Sequence, residues 1–297
     1  MVEYKTPADQ IFNFVNVLLL TFLTLITLYP CAYVLFASVS DPVQLYNGSK
    51  LLLYPRGFSL TSYKVVLENQ MIWRSYLNTI IYAITGTALS VFLTIIGGYV
   101  LSRTYLPGRR AVMLMLTITM FFGGGLIPTY LVVRSLGMLD SIWALILPSA
   151  VGTYNLILVK TYFLSMPAGL EEAARIDGAN DWTILWRIMA PLAMPVIAVI
   201  TLYCIVGSWN SYIPPTIYLR TRSLFPLQVI LREILLSGDT SSMNMSTGVS
   251  GGFSDFEAYS EAVKFATIVV STVPILCLYP VLQKYFVKGV MLGAIKG

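Results

Sequence analysis

The sequence predicts an all-α, polytopic membrane protein with six transmembrane helices. Of its 297 residues, 57% are hydrophobic and only 11% are charged, giving a mean hydropathy of +0.75, far from the balance of a water-soluble domain. Six charge-free runs reach or nearly reach the ~17–25 residues that a helix needs to cross hydrocarbon. The segments between them are too short for a separate extramembrane domain, so residues 1–297 read as one transmembrane domain.

The first span, 11–39, has an apolar stretch longer than that of a signal peptide and lacks a basic start or small-residue cleavage site, so it reads as uncleaved. The second and third, 75–102 and 111–133, are separated by a loop carrying Arg103, Arg109 and Arg110 with no acid. Within the third, the run FFGGGLIP at 121–128 predicts a kink or break. Either Gly123, Gly124 and Gly125 expose backbone to a translocation path, or they permit close helix packing. The fourth and fifth spans, 141–163 and 188–217, flank the 165–190 loop. Trp209, Asn210 and Tyr212, near the end of the fifth, are a polar-aromatic set that suits either sugar stacking or interfacial anchoring. An external 220–264 loop precedes the sixth span, 265–283. Its 224–236 part is an apolar-rich helix with Arg232 and Glu233 expected on the surface, and 237–255 is rich in Ser, Gly and Met.

With six spans, both termini share a side with the 103–110 and 160–190 loops. The short arginine loop and a tail carrying Lys284, Lys288 and Lys296 place that side in the cytoplasm. The net charge of +5 is dispersed rather than clustered, which argues against nucleic acid. Cys31, Cys204 and Cys277 lie in apolar runs and read as buried packing residues. There is no histidine, no metal-ligand cluster and no paired carboxylate within a span, so the sequence offers no equipment for a membrane-embedded enzyme.

The 165–190 loop is charged and amphipathic. Ser165 is a candidate cap ahead of Pro167, and Glu171 and Glu172 fall in the early turns, where the helix dipole favours anions. Glu171 and Arg175 stand i,i+4 in the favoured order. Leu170, Ala173 and Ala174 share a face open to close approach, Gly178 breaks the helix, and Asn180 or Asp181 caps a second one. There Trp182, Leu185, Trp186 and Met189 form an apolar stripe that ends where Pro191 opens the next span. The loop is therefore a hairpin of two short helices, serving either its own spans or a soluble partner.

Glu172-Ala173-Ala174, then Gly178, Ile188 and Pro191, resemble the EAA loop of the membrane subunits of binding-protein-dependent ABC importers. The tail from Lys284 to Gly297 resembles the end of the MalG-like sugar permeases. The resemblance implies a MetI/MalG-like type I permease fold, with Glu171, Glu172, Ala173, Ala174, Asp177, Gly178, Ile188 and Pro191 as the element that couples to an ATPase subunit. It implies as partners a second, non-identical permease, two ATPase subunits, an extracytoplasmic solute-binding protein, a carbohydrate and the lipid bilayer. The external loop would meet the binding protein. The FFGGGLIP run and Pro226–Glu233 stretch resemble the subgroup carrying pectin- and alginate-type oligosaccharides. No G-x-x-x-x-G-K-[ST] phosphate loop is present, so ATP and Mg²⁺ would be bound by partner subunits and no cofactor by this chain. The alternative, an ion-coupled secondary carrier or channel, is disfavoured by spans without central charges.

Overall fold

The computed structural model describes residues 7–237 and 253–294. The Ser/Gly/Met-rich 238–252 stretch and the last three residues lie outside them, as do the side chains of the lysine-bearing tail.

Among the described residues the chain is all-α, apart from one isolated bridge between Ser40 and Phe58. A run that is charge-free from Ile11 onward makes most of α1 (Pro7–Ser38), and Asp41 caps α2 (Pro42–Asn47) through its carboxylate, which accepts from Gln44 N at 3.1 Å. The short α3 (Thr61–Glu68) leads into α4 (Gln70–Ser102), whose 33 residues exceed what hydrocarbon requires.

The third predicted span is two helices, α5 (Arg109–Phe121) and α6 (Leu126–Ser135), meeting at 117°. Gly125 sits at the corner with φ +80° and ψ −175°, a region essentially closed to side-chain-bearing residues. A Cβ at Gly123 or Gly125 would meet nothing within 4 Å. Gly125 thus serves backbone conformation rather than close helix packing.

The fourth run bends by 47° between Trp143–Ser149, which contains α7 (Trp143–Ile146), and α8 (Thr153–Leu164). The hairpin follows as α9 (Gly169–Ile176), α10 (Asp181–Thr183), a π-turn at Ile184–Met189 and α11 (Ala190–Leu192). An 82° bend then opens α12 (Met194–Trp209), and Pro191 lies before that bend, in α11. The chain continues through α13 (Ile213–Tyr218), α14 (Leu227–Ser237) and α15 (Phe253–Ala294). Among the described residues three helices are long and apolar enough to cross a membrane, and each of three bent pairs can supply one more span.

Two compact units are formed, one drawn from Met1–Gln70 and Leu231–Thr272, the other from Met71–Ile230 and Val273–Gly297. In the first, Tyr33 meets Phe265 edge-on at 5.6 Å, Ser38 and Tyr63 share a hydrogen bond of 2.8 Å, and Tyr46 donates to Glu257 at 2.7 Å. Ala258, Ala262 and Ala266, spaced by four, are buried on α15. The most apolar window of α1 is not covered at all, and its Thr24 and Thr27 hydroxyls donate to carbonyls one turn back. A polar group that satisfies itself within its helix tolerates lipid.

In the second unit, α4 buries small and hydroxyl residues, among them Ser75, Thr79, Ala83, Thr87 and Thr94. At Gly98 a Cβ would stand 2.8 Å from Val159 Cγ1 and 3.2 Å from the Lys160 backbone nitrogen, so α4 and α8 approach closely only because no side chain intervenes.

Cys31 and Cys277 are exposed and Cys204 is half-buried, so the expectation of three buried cysteines is corrected. Two of them occupy helix faces turned away from the protein. Arg232 is exposed as expected, whereas Glu233 is half-buried.

Candidate functional site

The hairpin's inner face is built into the protein. Ala174, Ile184, Leu185, Met189 and Ala190 share one buried cluster with Ile95 and Tyr99 of α4, Val159 and Phe163 of α8, and Val196 and Ile200 of α12. Three long helices therefore end on the same short element. Its outer face is bare: Glu172 and Ala173 are exposed, and Ile176 is 87% and Trp182 58% exposed.

Several local expectations are revised. Ser165 closes α8 instead of opening α9, its hydroxyl donating to Tyr162 O at 2.7 Å, and α9 starts at Gly169 without a side-chain cap. Ala173 and Ala174 do not act as a pair, because Ala174 is buried within this chain. The stripe of the second helix is re-registered by the π-turn. Leu185 and Met189 are buried as expected, but Ile184 joins them and Trp182 is left outside. Trp186 lies between, stacked on Phe92 at 5.8 Å.

The turn follows the sequence closely. Gly178 adopts φ +80°, Ala179 N donates to Ala174 O at 2.9 Å and Gly178 N to Arg175 O at 3.0 Å, which is a Schellman C-cap. Asp177 is the exposed C-cap residue, and Asn180 caps the next helix by accepting from Thr183 N at 2.8 Å. Ile188 is half-buried against the cluster and Pro191 is exposed.

Charge binds the hairpin as well. Glu171 forms ion pairs with Arg103, which follows α4, and with Arg175 at 3.0 Å. Arg175 also reaches Asp181 at 2.5 Å and the Tyr105 hydroxyl at 3.2 Å. The Arg103 and Glu171 side chains are only 13% and 14% exposed. The Arg103 guanidinium lies 4.1 Å from the Tyr99 ring centroid, where the ring face favours a cation. Removing one member of a well-buried pair costs on the order of 3–5 kcal/mol, because the other charge is stranded. Sequence reading found Glu171–Arg175 but missed Arg103, since nothing local in the sequence joins residues this far apart.

Within the same unit a cavity of about 410 Å³ is lined by α4, α12 and their neighbours. Tyr82, Ser90, Tyr203, Ser208, Ser211 and Tyr218 contribute hydroxyls, and no lining side chain carries a charge. The Ser90 hydroxyl lies 3.5 Å from Cys204 Sγ, and Tyr82 donates to Leu224 O at 2.9 Å. The residues expected to line a path, Gly123, Gly124, Gly125, Trp209, Asn210 and Tyr212, are not among its walls. Trp209 is only 6% exposed and packs edge-on against Tyr76 at 5.9 Å. The available signal was hydroxyl and glycine periodicity: Thr79, Tyr82, Gly86 and Ser90 on α4, and Tyr203, Gly207 and Ser211 around α12, each three or four residues apart.

Asp140, with φ 59°, accepts from Arg220 N at 2.8 Å, Thr221 N at 2.9 Å and the Thr221 hydroxyl at 2.5 Å. The Thr221 hydroxyl foremost, then the Thr221 and Arg220 amides, hold its pKa below the usual aspartate value.

Residues 102–292 match the family described as "Binding-protein-dependent transport system inner membrane component". Among relatives, the chain is 40% identical to the polygalacturonan/rhamnogalacturonan transport system permease protein YtcP of Bacillus subtilis (strain 168), over 97% of this chain and 99% of that one. It is 25% identical to the arabinooligosaccharides transport system permease protein AraQ of the same organism, over 98% of this chain and 99% of that one. A chain in the crystal structure of a bacterial ABC transporter that imports the acidic polysaccharide alginate superposes with a TM-score of 0.86 at 35% identity, covering 96% of this chain and 100% of that one. With the family match spanning the hairpin and most of the helices, this chain belongs to the binding-protein-dependent transport system inner membrane components, and is a multi-pass membrane permease subunit.

Proposed function

We propose that this chain is one of two non-identical permease subunits of an ATP-driven importer for an oligosaccharide, and that the 165–190 hairpin receives the movement of an ATPase subunit. The observation that carries this reading is the hairpin's two-sidedness. Its inner face is fused to the ends of α4, α8 and α12, while Glu172, Ala173 and Ile176 stand out on the other side. An exposed isoleucine on a polar turn outside the spans suits a protein partner better than lipid or water.

Glu172 would meet polar or basic groups of the ATPase, Ala173 would allow close approach, and Gly178 and Asp177 would hold the turn. Ile188 and Pro191 would carry movement from the hairpin into the fifth span. ATP and Mg²⁺ would be held by the ATPase subunits, whose closure would drive the hairpin and turn the cavity outward to accept sugar from the binding protein. This chain would itself catalyse no reaction. The hairpin, the arginine loop and both termini would lie on the cytoplasmic side.

The uncovered face of α1 offers room for the second permease as well as for lipid. The cavity supports an uncharged mode of recognition, in which hydroxyls and tyrosine rings meet sugar hydroxyls. The polygalacturonan/rhamnogalacturonan, arabinooligosaccharide and alginate named for these similar proteins favour an oligosaccharide.

The test is uptake of digalacturonate and arabinotriose into vesicles carrying the whole complex with its binding protein. Uptake that requires ATP, and is lost in Glu172→Lys at matched assembly, is expected. Uptake driven by an ion gradient without ATP would restore the secondary-carrier reading.

A further inference from the structure

We propose that Arg103 and Glu171 form a clamp that makes the hairpin and the end of α4 move as one body, so that Arg103, outside the hairpin, is a positioning residue for energy coupling. The inference rests on the coupling role proposed for the hairpin. It assigns different work to the two adjacent glutamates.

Glu172 is exposed and enters none of the ion pairs found among the described residues, whereas Glu171 is 14% exposed and divides its carboxylate. One oxygen meets Arg103 and the other Arg175. Arg175 in turn ties Asp181, at the head of the second short helix, and Tyr105, two residues beyond Arg103. A continuous chain of ion pairs, closed by the hydrogen bond to the Tyr105 hydroxyl, therefore runs from the segment after α4, through both arms of the hairpin, and back to the same segment. Arg103 is held from behind by the Tyr99 ring, and Tyr99 packs edge-on against Phe163 of α8 at 6.0 Å. A force on the hairpin thus meets directional bonds to α4 as well as the slippery apolar contacts of the buried cluster.

The buried cluster alone could hold the hairpin in place, but apolar contacts fix no single angle between the two elements. An ion pair with little access to water loses its energy quickly when its geometry changes. That property separates a clamp from a hinge.

The experiment uses the full complex, with permease partner, ATPase subunits and binding protein, and carries spin labels at Thr104 and at Arg187 on the second arm of the hairpin, both exposed. In the parent protein the label-to-label distance distribution should be narrow and the same without nucleotide and with ATP plus vanadate. In Arg103→Ala it should broaden, and stimulation of ATP hydrolysis by the binding protein should fall at least about fivefold while basal hydrolysis persists. The exchange of charges, Arg103→Glu with Glu171→Arg, should narrow the distribution and return most of the stimulation, although without the contact to Tyr99. A distance that shifts with nucleotide in the parent protein would overturn the clamp. So would Arg103→Ala with unchanged distances and stimulation, or a charge exchange no better than the single change. Arg103→Lys, which keeps charge but not the flat guanidinium face, should lie between. Co-purification of the ATPase subunit, measured for each variant and for Glu172→Lys, separates the two ideas. Loss of stimulation with the ATPase still bound concerns the clamp, whereas an ATPase that never binds the hairpin concerns the coupling reading itself.

Discussion

The hairpin and the hydroxyl-lined cavity belong to one compact unit and manage polarity in opposite ways. In the hairpin, Arg103, Glu171, Arg175 and Asp181 are committed to one another in directional ion pairs. In the cavity, Ser90, Tyr203 and Ser208 present neutral groups and no charge. If, as proposed, the hairpin transmits force and the cavity is a passage, the first would benefit from bonds that resist reorientation and the second from groups that exchange partners at little cost. A charge in the cavity would bind one ligand atom strongly or remain unpaired at high cost. Variants of the first region should therefore disturb coupling, and variants of the second should disturb passage.

The largest effect is expected at Gly98, where α4 carries the Ile95 and Tyr99 side chains that support the hairpin. In Gly98→Val, Val159 can yield a little, but the Lys160 backbone nitrogen cannot. A destabilisation of about 3 kcal/mol or more follows from overpacking against a fixed backbone. Loss of assembled complex in size-exclusion chromatography would be the readout. A complex of normal yield and stability would show that the α4–α8 contact is looser than its geometry states.

Next comes Gly178. Nothing lies within 4 Å of a Cβ there, so a substitution acts through φ alone. Gly178→Val should cost about 1–2 kcal/mol, Gly178→Ala less, and Gly178→Asn least, since Asn tolerates the left-handed region. Binding-protein stimulation of ATP hydrolysis should fall in that same order. An order set by side-chain size, with Asn worse than Ala, would mean that the outer face has a steric partner at this position.

The contrasting variant, Ser208→Leu, fills the cavity without touching the hairpin. Uptake should drop by roughly tenfold, the scale on which a few misplaced methylenes act in a binding pocket, while stimulated ATP hydrolysis continues. If hydrolysis and uptake fell together, the division of labour between the two regions would be wrong.

The two regions also differ in how far they could be read beforehand. The hairpin follows rules that operate over three to six residues: a glycine in the left-handed region, an Asn cap and an i,i+4 ion pair. Its π-turn was not legible, because re-registration of Ile184 and Trp182 is decided by packing against α4, α8 and α12. The spans were legible as apolar runs, but their bends were not, apart from the Gly123–Gly125 corner. The walls of the cavity were not anticipated for a related reason. Trp209 and Tyr212 look suited to a sugar, yet Trp209 is turned inward onto Tyr76. The walls come from residues whose periodicity is meaningful only once α4 and α12 are known to face each other.

The smallest expected effect concerns a carboxylate clamp beside the cavity. Asp140 N donates to the carbonyl of Tyr218, a wall residue, and its carboxylate accepts from Arg220 and Thr221. Because these donors favour the ionised form, the folded pKa lies below the ordinary value of about 3.9. The stabilisation is accordingly complete above that ordinary pKa, and is lost as pH falls through the lower, folded value. Amide exchange at Arg220 and Thr221 in the detergent-solubilised complex should stay slow at neutral pH and, corrected for intrinsic rates, quicken below about pH 4. Asp140→Asn, which keeps an acceptor and a residue tolerant of φ 59°, should show modestly faster exchange at neutral pH and lose the acid-dependent step. A step that persisted in the variant would move the titrating group elsewhere.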